Sequence, residues 1–187
     1  MAYLELLFDD LQMNQITLTH LSIVLPLVFI GLLTGVISII IWSKRKNARW
    51  AVEITLLLIS LIIWTFGYAA ELLLPTIAMK LLMAKIQYFG IITVPVFWLL
   101  FAIKFANYQR LLTTKQVWLL AIVPTLTLLF ALTNDWHGWL WADISSSTIG
   151  PVDLITIAHG PWFWVFTLFS QICIVTGSLI LICLLYT

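Results

Sequence analysis

The sequence predicts an all-α fold: a polytopic transmembrane helix bundle of about five spans, with the N-terminus outside and the C-terminus cytoplasmic. Of 187 residues, 63% are hydrophobic and only 9% are charged, whereas an ordinary soluble domain is about a quarter charged. The apolar residues fall into five runs, each long enough to cross a bilayer as a helix. The connections after the first and third runs are basic and the one after the fourth is acidic, and this distribution predicts the orientation, with Lys80 and Lys85 near the outer end of the third run as the one contrary feature.

The first predicted span covers residues 18–42 and contains no Asp, Glu, Lys or Arg. The stretch before it carries Glu5, Asp9 and Asp10 but no basic residue, so we expect this acidic tail to be translocated. Four basic residues follow the span: Lys44, Arg45, Lys46 and Arg49.

The second predicted span covers residues 51–73, with Glu53 and Glu71 near its two ends, where each carboxylate can reach an interface. The third covers residues 78–105, and its helix is expected to begin near Ile77. Three spans contain a proline, which removes a backbone donor and predicts a kink: Pro26, Pro95 and Pro124.

The fourth and fifth predicted spans, residues 116–133 and 162–186, are uncharged throughout. The connection between them is rich in Asp, Ser, His, Gly and Trp and is predicted to be a polar loop. We treat residues 1–187 as a single membrane-embedded domain. Because the last apolar run ends without a basic anchor, we expect the domain to be incomplete at its C-terminus.

The charges of the connections predict which side each lies on. The connections after spans one and three carry basic residues and no acid, while the connection between spans four and five carries three aspartates and no Lys or Arg. Short basic connections stay in the cytoplasm. The chain is therefore predicted to begin outside the cytoplasm and to end inside it.

Four residues of the second span recur at helical spacing and share one face: Trp64, Gly67, Tyr68 and Glu71. A lone carboxylate at the membrane boundary is costly. We therefore predict an ion pair between Glu71 and Lys85 or Lys80, preferring Lys85 because Lys80 can reach water. The face is either a helix-packing contact or the wall of a binding cavity.

One side of the third helix continues this polar character from the outer surface towards the middle of the membrane. It carries Lys80, Ala84, Gln87, Tyr88, Ile91 and Pro95. We expect this side to meet the polar face of the second span. A polar seam in the fifth span, interpreted as interhelical hydrogen bonding, consists of Thr167, Ser170, Gln171 and Ser178.

Aromatic residues are densest in the loop before the fifth span, from Asn134 to Trp141 and again from His159 to Trp164. The loop is either an interfacial aromatic belt or a lid over a small apolar or cationic ligand. In the second interpretation the ligand contacts in this loop are Asn134, His137, His159 and Trp162, which join Trp64, Tyr68, Glu71, Lys85, Gln87 and Tyr88 of the second and third helices.

Other classes of function have little support. A zinc site from His137 and His159 lacks helical spacing and needs a third ligand from an aspartate, so we expect no metal and no cofactor. No phosphate loop, nucleophile elbow or metalloprotease helix occurs, and no catalytic domain is expected. Nucleic acid is not an expected partner, because no basic stripe is interleaved with aromatic residues.

The sequence resembles the N-terminal seven-helix membrane region of bacterial sensor histidine kinases over about residues 50–170. The resemblance is carried by Trp64, Gly67, Tyr68, Glu71, Lys85, Gln87, Tyr88, Gly90, Pro95, Trp98, Phe101, Ala102, Pro124, Thr133, Asn134, His137, Gly138, Gly160, Pro161, Phe163 and Trp164. It implies a multi-pass protein of the bacterial plasma membrane, fused to a histidine kinase or diguanylate cyclase. A homodimer through the missing output domain is expected by analogy.

The leading hypothesis is a membrane sensor input domain of a two-component system that binds a small or apolar signal from outside the cell or from the membrane. Membrane lipid is the other expected partner. Two alternatives stay open: a small transporter or channel component, indicated by proline-kinked spans with polar groups, and a scaffold that binds other membrane helices.

Overall fold

The computed structural model describes residues 2–108, 110, 112–149 and 152–186. Side chains are described for residues 21–108, 110, 112–145 and 156–186. Within these residues the α-helices and β-strands, in chain order, are α1 (Ala2–Ser43), α2 (Ala51–Leu73), α3 (Ile77–Ile91), α4 (Val94–Phe105), α5 (Thr114–Leu132), α6 (Asn134–His137), β1 (Trp141–Ile149), β2 (Val152–His159) and α7 (Pro161–Leu185).

Five segments are long and apolar enough to cross a membrane: Leu21–Ser43, Ala51–Leu73, Ile77–Phe105, Thr114–Leu132 and Pro161–Leu185. The predicted all-α bundle of about five spans is confirmed. Most side chains of these spans face outwards, because lipid rather than protein is their apolar surrounding.

The third span is not one continuous helix. It is interrupted at Ile92 and Thr93, and α4 restarts with Pro95 in its first turn, where a missing N–H is tolerated. The kink predicted at this proline is thus a full break between two helices. By contrast, Pro26 and Pro124 lie inside helices that continue through them.

The break gives the two halves of the third span different neighbours. Helix α2 lies at the centre, in contact with α1, α3 and α4. Helix α3 packs on α5, whereas α4 packs on α7, and α5 and α7 also touch each other. Helix α7 therefore packs mainly against α4, the second half of the broken span.

Close approach of α2 and α3 depends on two glycines. A Cβ atom added to Gly90 would lie 2.3 Å from the backbone oxygen of Ser60, and one added to Gly67 would lie 2.5 Å from Cγ of Gln87. Small residues at such contacts let membrane helices pack by van der Waals attraction where no hydrophobic driving force is available.

The connection before α7 is a folded unit and not the polar loop expected from its sequence. Helix α6 ends at His137 and is capped by Gly138, whose φ of 62° is left-handed. The chain then forms an antiparallel hairpin in which Trp141 pairs with His159, with an irregularity between Trp141 and Asp143. The expectation was wrong because β1 is rich in Ser and Thr and lacks the apolar alternation that predicts a strand.

Charged residues divide between the two ends of the bundle. Glu71, Lys85 and Asp135 lie at the end that carries the hairpin, and Lys104 at the end of α4 pairs with Glu53 at the start of α2 on the opposite end. The predicted alternation of the connections fits this division. Which end faces the cytoplasm stays a prediction from the basic connections.

Candidate functional site

A cavity of about 380 Å³ lies where the third span is broken. It is enclosed by α2, by the adjoining ends of α3 and α4, and by α7. Its lining residues are Trp64, Tyr88, Ile91, Val94, Pro95, Phe163, Phe166, Thr167, Ser170, Gln171 and Ile174. The break accounts for the cavity. Helix α3 packs on α5 while α4 packs on α7, which leaves a space where α3 and α4 meet.

The cavity wall is mainly apolar but includes a few polar groups. The Ser170 hydroxyl is buried and has no hydrogen-bond partner in the described part of the chain, whereas the Thr167 hydroxyl donates to the carbonyl of Phe163 at 2.8 Å. Pro95 has no N–H to offer the carbonyl of Ile91, four residues earlier. Ser170 therefore brings a buried hydroxyl without a described partner to the wall of the cavity.

The cavity opens at the surface of the bundle. Trp64 is 41% exposed and Ile174 is 37% exposed, and Gln171 is also exposed. These residues belong to candidate membrane-spanning segments, so the opening lies at the side of the bundle within the part of the chain that the structure describes.

Tyr88 connects the cavity with the hairpin. It is 8% exposed, and its hydroxyl accepts a hydrogen bond from the indole N–H of Trp141 at 3.4 Å. The two rings pack edge to face with centroids 5.3 Å apart. Both residues belong to a buried cluster with Ala84, Ile92 and Phe166, so the hairpin, α3 and α7 share one core.

Of the two predicted partners of Glu71, Lys85 is wrong, whereas Lys80 does act on Glu71 through its charge. Glu71 accepts a hydrogen bond from the amide of Gln87 at 2.5 Å, and the ammonium of Lys85 lies 2.7 Å from the carboxylate of Asp135. The prediction failed because Asp135 of α6 lies beside Lys85 and takes up its charge. Lys80 is only 5% exposed, so it does not reach water freely as expected; its charge acts favourably on the Glu71 carboxylate.

Asn134 organises the outer loop. It is 4% exposed, its side-chain oxygen accepts hydrogen bonds from the backbone N–H groups of Leu140 and Trp141, and its amide donates to the carbonyl of Trp141. A ligand could use this amide only by displacing those bonds. The structure thus gives Asn134 a structural role, and its predicted role in ligand binding is untested.

His137 is bonded in a similar way. Its Nδ1 accepts the backbone N–H of Trp139 at 3.0 Å, so the proton of the neutral ring lies on Nε2, which is 3.0 Å from the hydroxyl of Thr133. That hydroxyl donates to the carbonyl of Leu129. Both ring nitrogens of His137 are therefore used within the loop.

The remaining predicted residues lie around the cavity without lining it. The ring of His159 stacks on Phe163 at 3.7 Å, and the indole of Trp162 donates to Thr127 at 3.0 Å. Tyr68, together with Trp64, lines a separate groove of about 420 Å³ whose other lining residues are Leu27, Leu61 and Thr65. Of the ten predicted ligand residues, the structure places Trp64 and Tyr88 in the cavity wall.

The residues that the sequence interpretation missed lie on α7. Thr167, Ser170 and Gln171 were expected to bond to other helices, yet they line the cavity. Their recurrence on one face was the available signal, but it did not say what faces them. No group of three His, Cys, Asp or Glu side chains suited to a metal ion occurs among the residues that the structure describes.

Comparison with known families gives one match. Residues 26–186 match the family described as the N-terminal 7TM region of histidine kinase. This range covers most of the first candidate span, from its sixth residue, and all of the other four. No curated protein and no solved structure matches the chain.

Proposed function

The chain belongs to the family of N-terminal 7TM regions of histidine kinases, and we propose that it senses a small, mainly apolar molecule bound in the cavity at the α3–α4 break. Membership makes it a multi-pass protein of the plasma membrane and a membrane sensor region of a two-component kinase, not a catalytic region. The identity of the signal and the place where it binds are our proposal.

The observation that carries the proposal is the position of the cavity. It lies at the one break described within a candidate span, and an unpartnered buried hydroxyl, that of Ser170, is in its wall. A buried polar group without a partner costs about 1–3 kcal/mol. An occupant that bonds to Ser170 recovers part of this cost and thereby gains affinity and orientation.

The lining favours a neutral ligand. Among the residues described around the cavity none is Asp or Glu, so a cation would lose its hydration without gaining a counter-ion. Four aromatic rings supply apolar contact area: Trp64, Tyr88, Phe163 and Phe166. At about 380 Å³ the cavity is near the lower end of the range for ligand pockets, which suits a small molecule.

Binding would bias the position of α7. One wall of the cavity is α7, which is fixed to α4 by close packing of Gly177 on Trp98 and by a hydrogen bond from the Trp98 indole to the carbonyl of Ile174. An occupant of the cavity therefore contacts α7 directly, and α7 packs on the span that is broken into α3 and α4. Helix displacements of about 1–2 Å are enough to carry a signal in other proteins.

This site differs from the outer loop site expected from sequence. In the outer loop, Asn134 and His137 are already bonded to backbone and side-chain partners, while the cavity wall includes Ser170, whose buried hydroxyl has no partner in the described part of the chain. We propose that the loop supports the cavity through Trp141 and Tyr88. A homodimeric arrangement, expected by analogy with histidine kinases, is also part of this proposal.

Photolabelling tests the site. The purified protein in lipid nanodiscs is exposed to an n-octanol analogue that carries a diazirine, and labelled peptides are mapped by mass spectrometry. We expect saturable labelling of α7 near Ser170 and of α4 near Val94. Competition by unlabelled octanol should remove it.

Two matched variants complete this experiment. Val94→Trp fills the cavity and should abolish the saturable labelling, whereas Val165→Trp, at a lipid-facing position of α7 that is 47% exposed, should leave it intact. Labelling spread evenly over the lipid-facing residues, or equal labelling of both variants, would remove the cavity from the proposal.

A further inference from the structure

A basic loop joins α1 to α2. Lys44, Arg45, Lys46 and Arg49 are all exposed. The nearest acid along the chain, Glu53, is 7% exposed and is bonded to Lys104. Neither of the two salt bridges within the described residues uses a basic side chain of this loop. The four positive charges therefore remain available to an anion.

An apolar groove of about 300 Å³ lies between α1 and α2 beneath this loop. It is lined by Ser38, Ile39, Trp42, Thr55, Leu56 and Ile59. Ser38 is five residues before the end of α1, and Thr55 is four residues after the start of α2, so the groove lies about 6–8 Å from the loop along the helix axes. Its volume accommodates about ten groups of the size of a water molecule, at roughly 30 Å³ each.

Trp42 and Arg45 join the loop to the groove. The guanidinium carbon of Arg45 lies 4.5 Å from the centroid of the Trp42 ring, and Arg45 also donates a hydrogen bond to the carbonyl of Trp42 at 3.0 Å. Trp42 itself lines the groove. The positive charge of Arg45 is thus held beside the apolar groove. The groove opens to lipid, since Ile39 is 72% exposed.

We propose that this loop and groove form a binding site for an anionic phospholipid. The phosphate lies among Arg45 and the neighbouring basic side chains, and one acyl chain occupies the groove between α1 and α2. Charge complementarity selects the anionic headgroup, and burial of methylene groups against Ile39, Leu56 and Ile59 selects a lipid over a soluble phosphate. The site lies apart from the cavity at the α3–α4 break.

Lipid titration followed by native mass spectrometry tests this site. The protein is titrated with phosphatidylglycerol and with phosphatidylcholine of identical acyl chains. We expect phosphatidylglycerol to bind at least tenfold more tightly. Arg45→Gln should weaken its binding about fivefold, the effect of one basic residue near an anionic surface, while Lys115→Gln, an exposed charge away from the groove, should not change it.

Filling the groove separates a built site from general attraction to a basic loop. Ile59→Trp should weaken phosphatidylglycerol binding at least fivefold with no change in charge. The matched Ile182→Trp, at a lipid-facing position of α7 that is 48% exposed, should have no effect. Equal binding by both variants would overturn the site, and so would equal binding of the two lipids.

A soluble headgroup distinguishes a lipid from a free phosphate. Glycerophosphoglycerol, which has the same phosphodiester but no acyl chains, should fail to displace phosphatidylglycerol at a hundredfold excess. Full displacement would show a phosphate site without an acyl-chain groove and would overturn the proposal. Val94→Trp should leave lipid binding unchanged, so this test is independent of the cavity.

Discussion

Trp141, the first residue of the hairpin, lies edge to face against Tyr88, a residue of the cavity wall, with ring centroids 5.3 Å apart. Trp141 is 3% exposed, and its indole donates to the Tyr88 hydroxyl. The outer hairpin therefore packs in the same buried core as the cavity wall. A change in the hairpin is expected to alter the cavity, and a change in the cavity to alter the hairpin.

A double-mutant cycle measures this contact. Tyr88→Leu and Trp141→Leu should each destabilise the protein, and the coupling free energy between them should be about 0.5–1.5 kcal/mol, as for other aromatic pairs. Reversible unfolding in mixed micelles supplies the four stabilities. The pair Tyr88 and Trp164 is the control, since Trp164 is 62% exposed, and should give no coupling.

Asn134→Ala should destabilise the protein strongly. The substitution leaves the N–H groups of Leu140 and Trp141 and the carbonyl of Trp141 without their partner in a buried position. At about 1–3 kcal/mol for each unsatisfied buried group, we expect a loss of at least about 3 kcal/mol. Asp143→Ala, which removes one exposed local bond to the N–H of Ile144, should cost less than about 1 kcal/mol in the same unfolding assay.

The partner of Lys85 can be identified by comparing the coupling free energies from two double-mutant cycles. Lys85→Met with Asp135→Asn should show a favourable coupling of at most about 1 kcal/mol that shrinks at high salt, because Asp135 is 56% exposed. Lys85→Met with Glu71→Gln should show none. A larger coupling to Glu71 than to Asp135 would restore the ion pair expected from sequence.

Gly90→Ala should weaken the contact between α2 and α3. The added Cβ atom would lie 2.3 Å from the Ser60 carbonyl oxygen, which belongs to the backbone and cannot rotate away. We expect a loss of about 1–3 kcal/mol. Gly35→Ala is the matched control, because its Cβ atom would have its nearest neighbour at 4.0 Å, and thermal unfolding of the two variants gives the comparison.

The number of spans could be predicted because runs of about twenty predominantly apolar residues are a strong signal for membrane-spanning helices, and the expected start of α3 near Ile77 is confirmed. The proline rule located the break near Pro95 but could not distinguish a kink from an interruption. That outcome depends on α3 and α4 packing on different helices, which no local pattern contains.

The candidate site was predicted less well than the fold. The face with Trp64 and Glu71 does meet the side with Gln87 and Tyr88, as expected. The error at Lys85 arose because its partner, Asp135, is 50 residues away in the chain. The hairpin was missed because β1 lacks the apolar alternation that predicts a strand, and the cavity was missed because it depends on the break between α3 and α4.

The distance between α1 and α7 tests the sensor account most directly. Spin labels on Ser43→Cys and on the exposed Cys183 of α7 report this distance by double electron–electron resonance in nanodiscs. Addition of octanol should shift the mean distance by about 1–2 Å, and Val94→Trp should show a shifted distance that no longer responds. A distance that stays the same with octanol and in the filled variant would contradict a cavity that controls the position of α7.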